Sequence, residues 1–193
     1  MSSLFYTFLL RIFLYTRYKI YYSKITSNGG LPDLKILGTL DIPQDVRICF
    51  VNNSESSTLG IERRCKISVY KNASLQIMGP LGLSNVVIVA TKQISIGKNV
   101  MIGGGVTIID SDFHSLDYND WFTDKDEHNM NSIPVTIGDN VFIGMNSLIL
   151  KGVHIGNGSI VAAGSVICKS IPPGEIWGGN PAKFISKNTN YNS

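Results

Sequence analysis

Aliphatic residues recur at every sixth position between residues 137 and 167 of this chain. The positions are Ile137, Ile143, Ile149, Ile155, Val161 and Ile167. Small residues follow several of them, and serines recur in the same repeats, at Ser147, Ser159 and Ser165. A period of six fits neither the alternation of a β-strand nor the 3.6-residue period of an α-helix. Hexapeptide repeats are typical of solenoids in which each repeat supplies one short strand, so the pattern predicts a parallel β-helix.

The same period occurs upstream and is then interrupted. Ile96, Ile102 and Ile108 keep the spacing, but the next expected aliphatic position holds His114. The repeat resumes at Ile137 if residues 111–135 form an excursion at one corner of the solenoid. This register predicts three walls, one with Ile96, Ile137 and Ile155, a second with Ile102, Ile143 and Val161, and a third with Ile108, Ile149 and Ile167. The excursion is a long loop, and long loops on repeat scaffolds are usually functional.

Less regular patterns flank the repeat. Residues 4–22 are rich in Leu, Phe, Ile and Tyr but include Arg11, Arg17 and Lys19, so they do not supply the roughly 20 apolar residues of a membrane span. We expect residues 1–30 to form an amphipathic helical extension that packs on the solenoid or on another subunit, or that lies on a membrane surface. Residues 31–185 form the predicted β-helix domain, with 52–58 as a polar loop. The segment after Pro172 and Pro173 is expected to cap the last coil, and residues 186–193 to form a polar tail.

Composition and charge exclude some classes of function. A net charge of +3, with 16% charged residues in a chain of 193, is too weak a balance to indicate nucleic-acid binding. The three cysteines, Cys49, Cys65 and Cys168, are far apart and form no Cys-x-x-Cys motif. We find no cleavable signal peptide either, so a reducing cytoplasm is the expected compartment.

Asp110, Asp112 and His114 form the densest group of acid–base residues beside regular structure. Histidine is the best-placed general base near neutral pH, and a carboxylate on its other ring nitrogen fixes the tautomer. Taken alone this motif is weak, because a histidine beside a loop is more often structural.

The surrounding residues resemble a known family. The sequence IDSDFHSL at 109–116, preceded by IGKNV at 96–100, is similar to the sugar O-acetyltransferases of the hexapeptide-repeat acyltransferase superfamily. These include galactoside and maltose acetyltransferases and enzymes that modify capsule and lipopolysaccharide. The resemblance covers residues 86–185 and implies a left-handed β-helix with about eighteen residues per coil. It also implies direct acetyl transfer, with His114 as the base that deprotonates the acceptor hydroxyl and Asp112 as a second catalytic residue.

The resemblance further implies binding sites for acetyl-CoA, as co-substrate, and for a carbohydrate acceptor. The positions that correspond to the donor site are Gly144, Met145, Ala163, Gly164, Cys168, Lys169, Trp177 and Lys183. Met145 and Ala163 are eighteen residues apart, which stacks them on one face, and Lys169 and Lys183 correspond to phosphate contacts. Acceptor contacts correspond to Ser84, Asn85 and Asp110, and no metal is required. Each group also has a structural interpretation: small residues suit tight corners, surface lysines are often only solvated, and Trp177 could plug the last coil.

We therefore expect an all-β protein, an O-acetyltransferase that modifies a hydroxyl of a sugar or of a cell-surface polysaccharide precursor. A homotrimer is expected, because a solenoid with an open flank and a site that needs two walls has reason to pack around a threefold axis. The expected location is the cytoplasm, with association at the inner face of the membrane left open. N-acetylation of an amino sugar, O-acetylation of serine and a non-catalytic scaffold are the alternatives. A zinc carbonic anhydrase is disfavoured because the three histidines are widely scattered.

Overall fold

The computed structural model describes residues 4–5, 7–10, 12, 25–28, 33–41, 48–51 and 65–191. Within them the chain passes repeatedly through three sheets, in the order A, B, C, so that each coil adds one strand to each sheet. Among the described strands, those in neighbouring coils pair in parallel, and only the last pair is antiparallel. The predicted parallel β-helix is therefore confirmed.

The strands are short, as a six-residue repeat requires. Sheet A contains β1 (Ile25–Asn28), β4 (Ile48–Val51), β7 (Leu81–Ser84), β10 (Val100–Ile102), β13 (Phe142–Ile143), β16 (Ile160–Val161), β18 (Glu175–Gly179) and β19 (Ala182–Lys187). Sheet B contains β2 (Asp33–Ile36), β5 (Lys66–Val69), β8 (Val87–Ala90), β11 (Thr107–Ile109), β14 (Leu148–Ile149) and β17 (Val166–Ile167). Sheet C contains β3 (Thr39–Asp41), β6 (Ser74–Ile77), β9 (Gln93–Ile96), β12 (Val135–Ile137) and β15 (His154–Ile155).

The aliphatic residues of the repeat line the inside of the prism in the predicted register. Ile137 pairs with Ile96 and Ile155 in sheet C, and the predicted triplets of sheets A and B pair in the same way. Most of these side chains have no exposed surface. Each buried aliphatic side chain contributes about 1.5–3 kcal/mol, so the repeat is also the main source of stability.

The corners between sheets explain the other residues of the repeat. Ser147, Ser159 and Ser165 are buried, and their hydroxyls donate to carbonyls of corner residues; Ser147 Oγ, for example, lies 2.8 Å from the Gly144 oxygen. Such carbonyls need a partner because they are buried away from water. Several asparagines occupy corners with φ between 51° and 57°, a left-handed conformation that asparagine tolerates: Asn85, Asn99, Asn140 and Asn146.

The predicted loop leaves the corner between sheets B and C. It joins β11 to β12 and contains a short helix, Asp124–His128. A bridge between Ser111 and Ser132 closes its base. At the far end of the chain β18 and β19 form a hairpin, and Trp177 packs against the core, so the predicted cap is present.

The two ends of the chain differ from the predicted boundaries. Sheet A already includes Ile25–Asn28, so regular structure begins before residue 31. Strand β19 continues to Lys187, and further along the predicted polar tail Asn188 donates to the Gly158 carbonyl and Tyr191 lies against Gly158 and Gly174, so the tail contacts the solenoid at these two residues. The predicted loop at 52–58 and most of the N-terminal extension lie outside the described residues.

The described residues near the N-terminus are helical. Leu10 belongs to the core and is fully buried, whereas Leu4 and Phe8 are mostly exposed. One face of this helix therefore packs on the solenoid. No helix in the described ranges is long and apolar enough to cross a bilayer.

Candidate active site

His114 lies on the loop with one ring nitrogen engaged and most of its side chain exposed. Its Nδ1 is 2.7 Å from Asp126 Oδ2. The His114 side chain is 71% exposed, whereas that of Asp126 is 17% exposed. An ionised carboxylate can only accept, so Nδ1 carries the proton and Nε2 keeps its lone pair free. This arrangement suits a general base.

Asp126 is ionised and fixed by a second hydrogen bond. Its Oδ1 accepts from the Ser115 backbone N–H at 2.8 Å. The contact with His114, followed by that with Ser115, lowers the pKa of the Asp126 carboxyl. The short helix that presents Asp126 begins at Thr123, whose hydroxyl caps it by accepting from the Lys125 N–H.

The rest of the loop is held together around Asp120. Its Oδ2 accepts from Asn129 Nδ2 at 2.8 Å and from Ser115 Oγ at 2.7 Å, and these contacts, the one with Asn129 first, lower the pKa of its carboxyl. The Trp121 ring N–H donates to the Ser115 carbonyl. Ser115 is thus tied to Asp120, Trp121 and Asp126, which fixes the residue directly after His114.

Asp112 was predicted to act with His114, and the structure gives it a different partner. Its Oδ1 lies 2.6 Å from Lys151 Nζ, in an ion pair whose side chains are both 24% exposed. Its Oδ2 is buried without a hydrogen-bond partner among the described residues. The carboxylate that contacts His114 is Asp126. Asp112 instead joins the base of the loop to the next coil.

Asp110 was predicted to contact the acceptor, but it has a structural role. It is fully buried. Its two oxygens accept from the backbone N–H groups of Thr91, Lys92 and Gln93, and from the Thr91 hydroxyl, all at 2.8 Å. No oxygen remains free for a sugar, so this prediction is corrected. Asp110 accepts hydrogen bonds from the backbone N–H groups at the B–C corner of the preceding coil.

The predicted pantetheine contacts lie at a different corner, between sheets A and B. Met145 and Ala163 are stacked as predicted, and the Gly164 N–H donates to the Met145 carbonyl at 2.8 Å. Both side chains are exposed, and a Cβ added to Gly164 would have nothing within 4 Å. Gly144 is different, because a Cβ there would lie 2.5 Å from the Ala163 nitrogen, so coil stacking requires this glycine.

The predicted acceptor residues Ser84 and Asn85 share this A–B corner. Both side chains are partly exposed. The Gly105 N–H donates to the Asn85 carbonyl, which stacks them below the Met145 column. Asn85 Oδ1 is buried with no hydrogen-bond partner in the part of the chain that is described.

The remaining predicted donor contacts are spread over two places. Cys168 and Lys169 are exposed and directly follow β17, at the B–C corner. Lys183 is exposed on β19. Trp177 is partly buried against the core, and its ring N–H donates to Glu175 at 2.8 Å, which favours the plug interpretation. Within a single chain, His114 at the B–C corner is therefore apart from the predicted contacts at the A–B corner.

The sequence did not indicate the partner of His114, Asp126, or the partner of Asp112, Lys151. Asp126 is twelve residues from His114, and the loop contains many carboxylates. Lys151 is thirty-nine residues from Asp112. The only sequence signal for Asp126 is its place in a short Thr-capped helix, and Lys151 is marked only by its position two residues after β14. No group of three or more His, Cys, Asp or Glu side chains suited to a metal ion occurs among the described residues.

Comparisons with known proteins agree with this geometry. A family model described as the hexapeptide repeat of succinyl-transferase matches residues 93–109 and 134–169, the strands on either side of the loop. A hexapeptide-repeat acetyltransferase of Vibrio cholerae is 31% identical, with a TM-score of 0.51, over 65% of this chain and 67% of that chain. This chain belongs to the hexapeptide-repeat acyltransferase superfamily. Its fold is the left-handed parallel β-helix that the sequence predicted.

Other matches show the range of chemistry in this superfamily. The Vibrio cholerae enzyme has also been solved in complex with acetyl coenzyme A, at 32% identity and a TM-score of 0.56, over 65% of this chain and 66% of that one. Galactoside O-acetyltransferase of Escherichia coli is 38% identical over 104 residues, 52% of this chain and 47% of that enzyme. A tetrahydropyridine-dicarboxylate N-acetyltransferase of Clostridium perfringens is 54% identical over 52 residues, 27% of this chain and 22% of that enzyme. The chain spans half or less of the length of these curated relatives.

Proposed function

We propose that this protein transfers the acetyl group of acetyl-CoA to a hydroxyl of a sugar or of a cell-surface polysaccharide precursor. The observation that carries the proposal is the His114–Asp126 pair, an oriented base with a free and exposed nitrogen on the loop of an acyltransferase β-helix. The matches to galactoside O-acetyltransferase and to the acetyl-CoA complex support the acceptor class and the donor.

The proposed reaction is a direct transfer. His114 Nε2 takes the proton of the acceptor hydroxyl while the acceptor oxygen attacks the thioester carbonyl carbon. The resulting tetrahedral intermediate collapses, the carbon–sulfur bond breaks, and the imidazolium returns the proton to the departing CoA thiolate. Asp126 stabilises the transient positive charge of His114 and holds the ring in one orientation.

The residues of the A–B corner fit an extended thioester arm. Met145 and Ala163 present exposed backbone one coil apart, and the space beside Gly164 is open. Lys169 and Lys183 are exposed and so are accessible to phosphate groups. Since Met145, Ala163 and Gly164 lie at the A–B corner and His114 at the B–C corner of one chain, we propose that the complete site forms between two copies.

Side-chain polarity on the outside of the prism supports a homotrimer. Register stacks Met101, Phe142 and Ile160 on the outer face of sheet A, and Val87, Thr107, Leu148 and Val166 on that of sheet B, where the two preceding coils carry Lys66 and Asp33 in the same column. The outer face of sheet C instead carries Gln76, Ser95, Thr136 and His154. Two mostly apolar faces that meet at the A–B corner can each contact a neighbour around a threefold axis, leaving the polar face in water.

The test is acetyl transfer in vitro. The purified protein is incubated with acetyl-CoA and a panel of sugars, amino sugars and serine, and free CoA and the acetylated product are measured. We expect O-acetylated sugar as the main product. An N-acetylated amino sugar or O-acetylserine would move the protein to the alternative acceptor classes. Absence of product with every acceptor, together with unchanged thermal stability on addition of acetyl-CoA, would favour the non-catalytic scaffold.

A further inference from the structure

Lysines repeat at one corner of the prism. Lys71, Lys92, Lys151 and Lys169 each stand two residues after the end of a sheet B strand, in four different coils. In the coil between Lys92 and Lys151 the same corner opens into the loop that carries His114. Among the described corner residues, the C–A corner has a single lysine, Lys98, and the A–B corner has none.

Stacking like charges in this way has an energetic cost. Neighbouring strands lie about 4.8 Å apart, and facing charges of the same sign destabilise a sheet. Lys151 is compensated by Asp112, and Lys169 lies on the C-terminal side of the loop with the proposed donor contacts. Lys71 and Lys92, on the other side of the loop, are exposed and form no ion pair with a carboxylate of the described residues. These two positive charges remain available to a ligand.

Lys92 is held next to the base of the loop. Its backbone N–H donates to Asp110 Oδ2 at 2.8 Å, and its Nζ donates to the Ser132 carbonyl at 3.3 Å. Ser132 is bridged to Ser111, three residues before His114. The ammonium group is therefore positioned beside the chain segment that leads to the proposed base.

Lys71 extends this positive surface by one coil. Its turn is packed on the turn of Lys92, because the Tyr70 N–H donates to the Ala90 carbonyl at 2.9 Å and the Ser74 N–H to the Lys92 carbonyl at 3.1 Å. Lys92 also belongs to the coil of Ser84 and Asn85, the predicted acceptor residues. Along the solenoid axis, the two lysines thus lie on the N-terminal side of the loop, as the predicted acceptor residues do.

We propose that Lys71 and Lys92 bind an anionic group of the acceptor, which is therefore a sugar or oligosaccharide bearing carboxylate or phosphate groups. This inference rests on the proposed function and narrows its substrate class. Lysine provides a mobile point charge that suits either anion. The exposed carboxylates of the loop, Asp117, Asp124 and Glu127, lie in its middle part, beyond the Ser111–Ser132 base, and they repel an anionic chain toward the lysine corner.

Binding is measured first, without acetyl-CoA. Calorimetric titration compares an oligogalacturonate, which has one carboxylate per residue, with neutral maltohexaose and with a hexose phosphate. We expect the wild-type protein to prefer an anionic probe, and whether oligogalacturonate or hexose phosphate binds more tightly identifies the anion. In Lys71→Ala/Lys92→Ala the affinity for that probe should fall about tenfold or more, as expected for lost charge-assisted hydrogen bonds. Raising the salt concentration should reduce the difference.

The control variant is Lys66→Ala/Lys98→Ala, which removes the same charge from exposed lysines away from the B–C corner. It should bind the anionic probe as the wild type does. Equal weakening in both double variants, a wild-type preference for maltohexaose, or binding of none of the probes would overturn the inference.

Turnover separates this inference from the proposed function. With acetyl-CoA, the Lys71→Ala/Lys92→Ala variant should show a raised KM for the anionic acceptor and an unchanged KM for acetyl-CoA. If acetyl groups are transferred to a neutral sugar and the KM for that sugar is the same in the wild type and in the double variant, the proposed function stands and the anionic acceptor is wrong. If both lysines are needed to bind the anion but no acetyl group is transferred, the site stands and the transferase is wrong.

Discussion

His114 offers one free ring nitrogen because Asp126 occupies the other. If His114 is the base, His114→Ala should lower kcat by about 10² to 10⁴, the usual contribution of a positioned general base. The side chain is mostly exposed and packs little, so the fold and the affinity for acetyl-CoA should stay near wild type. His114→Asn keeps a polar group but cannot accept a proton at neutral pH, and it should be equally inactive. Steady-state kinetics and calorimetry check this; an alanine variant that keeps most of its activity would make His114 structural.

Asp126 should affect the reaction by orienting His114 and not by contacting the substrate. Asp126→Asn can donate to Nδ1 and so favour the tautomer whose Nε2 is protonated, which is useless as a base. We expect kcat to fall by up to about 10⁴, the loss seen for the corresponding change in a Ser-His-Asp triad, with little change in KM. Asp124→Asn is the matched control, since Asp124 lies on the same helix and is exposed, and this change should leave kcat near wild type. Equal effects of the two variants on kcat would remove the assigned role of Asp126.

At this scale the sequence singled out His114 as the candidate base but did not indicate its partner. His114 stands out because it occupies a position that the repeat reserves for an aliphatic residue. Nothing comparable marks Asp126, since the fold of a loop decides which of several carboxylates meets the imidazole. Asp110 and Asp112 are nearer in sequence, but Asp110 accepts hydrogen bonds from backbone N–H groups and Asp112 forms an ion pair with Lys151.

Among the elements, the loop behaves as a folded unit with its own hydrogen-bonded centre. Ser115, Asp120 and Asp126 link its first limb to the short helix. Phe113 adopts φ 65° immediately before His114, a conformation that is uncommon for a bulky residue and is maintained only by its surroundings. The contacts that set the direction of the histidine are therefore the same contacts that fold the loop.

The loop should open in acid. Hydrogen bonds lower the pKa of Asp126, chiefly through His114, and that of Asp120, chiefly through Asn129. A lowered pKa in the folded state means that this stabilisation is complete above the ordinary aspartate value of about 3.9 and is lost as pH falls through the folded value. Trp121 donates to Ser115, so its fluorescence in a Trp177→Phe background reports on the loop. We expect a transition below about pH 4.

A variant with both carboxyls neutralised provides the control for this transition. Asp120→Asn/Asp126→Asn in the same background cannot titrate at these positions, so its Trp121 emission should change little over the same pH range. An identical acid transition in this variant would show that other groups open the loop.

The elements were predictable where the repeat is strict and less so elsewhere. From Ile96 onward the aliphatic spacing fixed the walls, because a prism corner tolerates no shift of register without exposing the aliphatic side chain. Before Ile96 the coils have longer strands and variable corners, so spacing alone could not pair them. The sequence did not predict the contact of the tail with the solenoid. Tyr191 packs against glycines of two coils, and no repeated pattern in the sequence marks such a contact.

The whole molecule is asymmetric around its long axis, and this asymmetry motivates the last prediction. Phe142 lies in the middle of the outer face of sheet A, between Met101 and Ile160, and is 48% exposed in the single chain. We expect light scattering at micromolar concentration to give three times the mass of the 21.1 kDa chain. Phe142→Glu would bury an unpaired charge in the proposed interface, so it should dissociate the protein to monomers. It should also abolish acetyl transfer, because His114 and the A–B corner would no longer meet.

Thr136→Glu provides the comparison, because Thr136 faces outward from the polar sheet C. The same charge at that position should leave both the mass and the activity unchanged. Mixing Phe142→Glu with His114→Ala should restore no activity, since Phe142→Glu chains cannot enter a trimer, whereas a His114→Ala trimer still forms and still binds acetyl-CoA. A wild-type monomer that transfers acetyl groups at full rate would contradict the shared site, and the donor would then have to bind within a single chain.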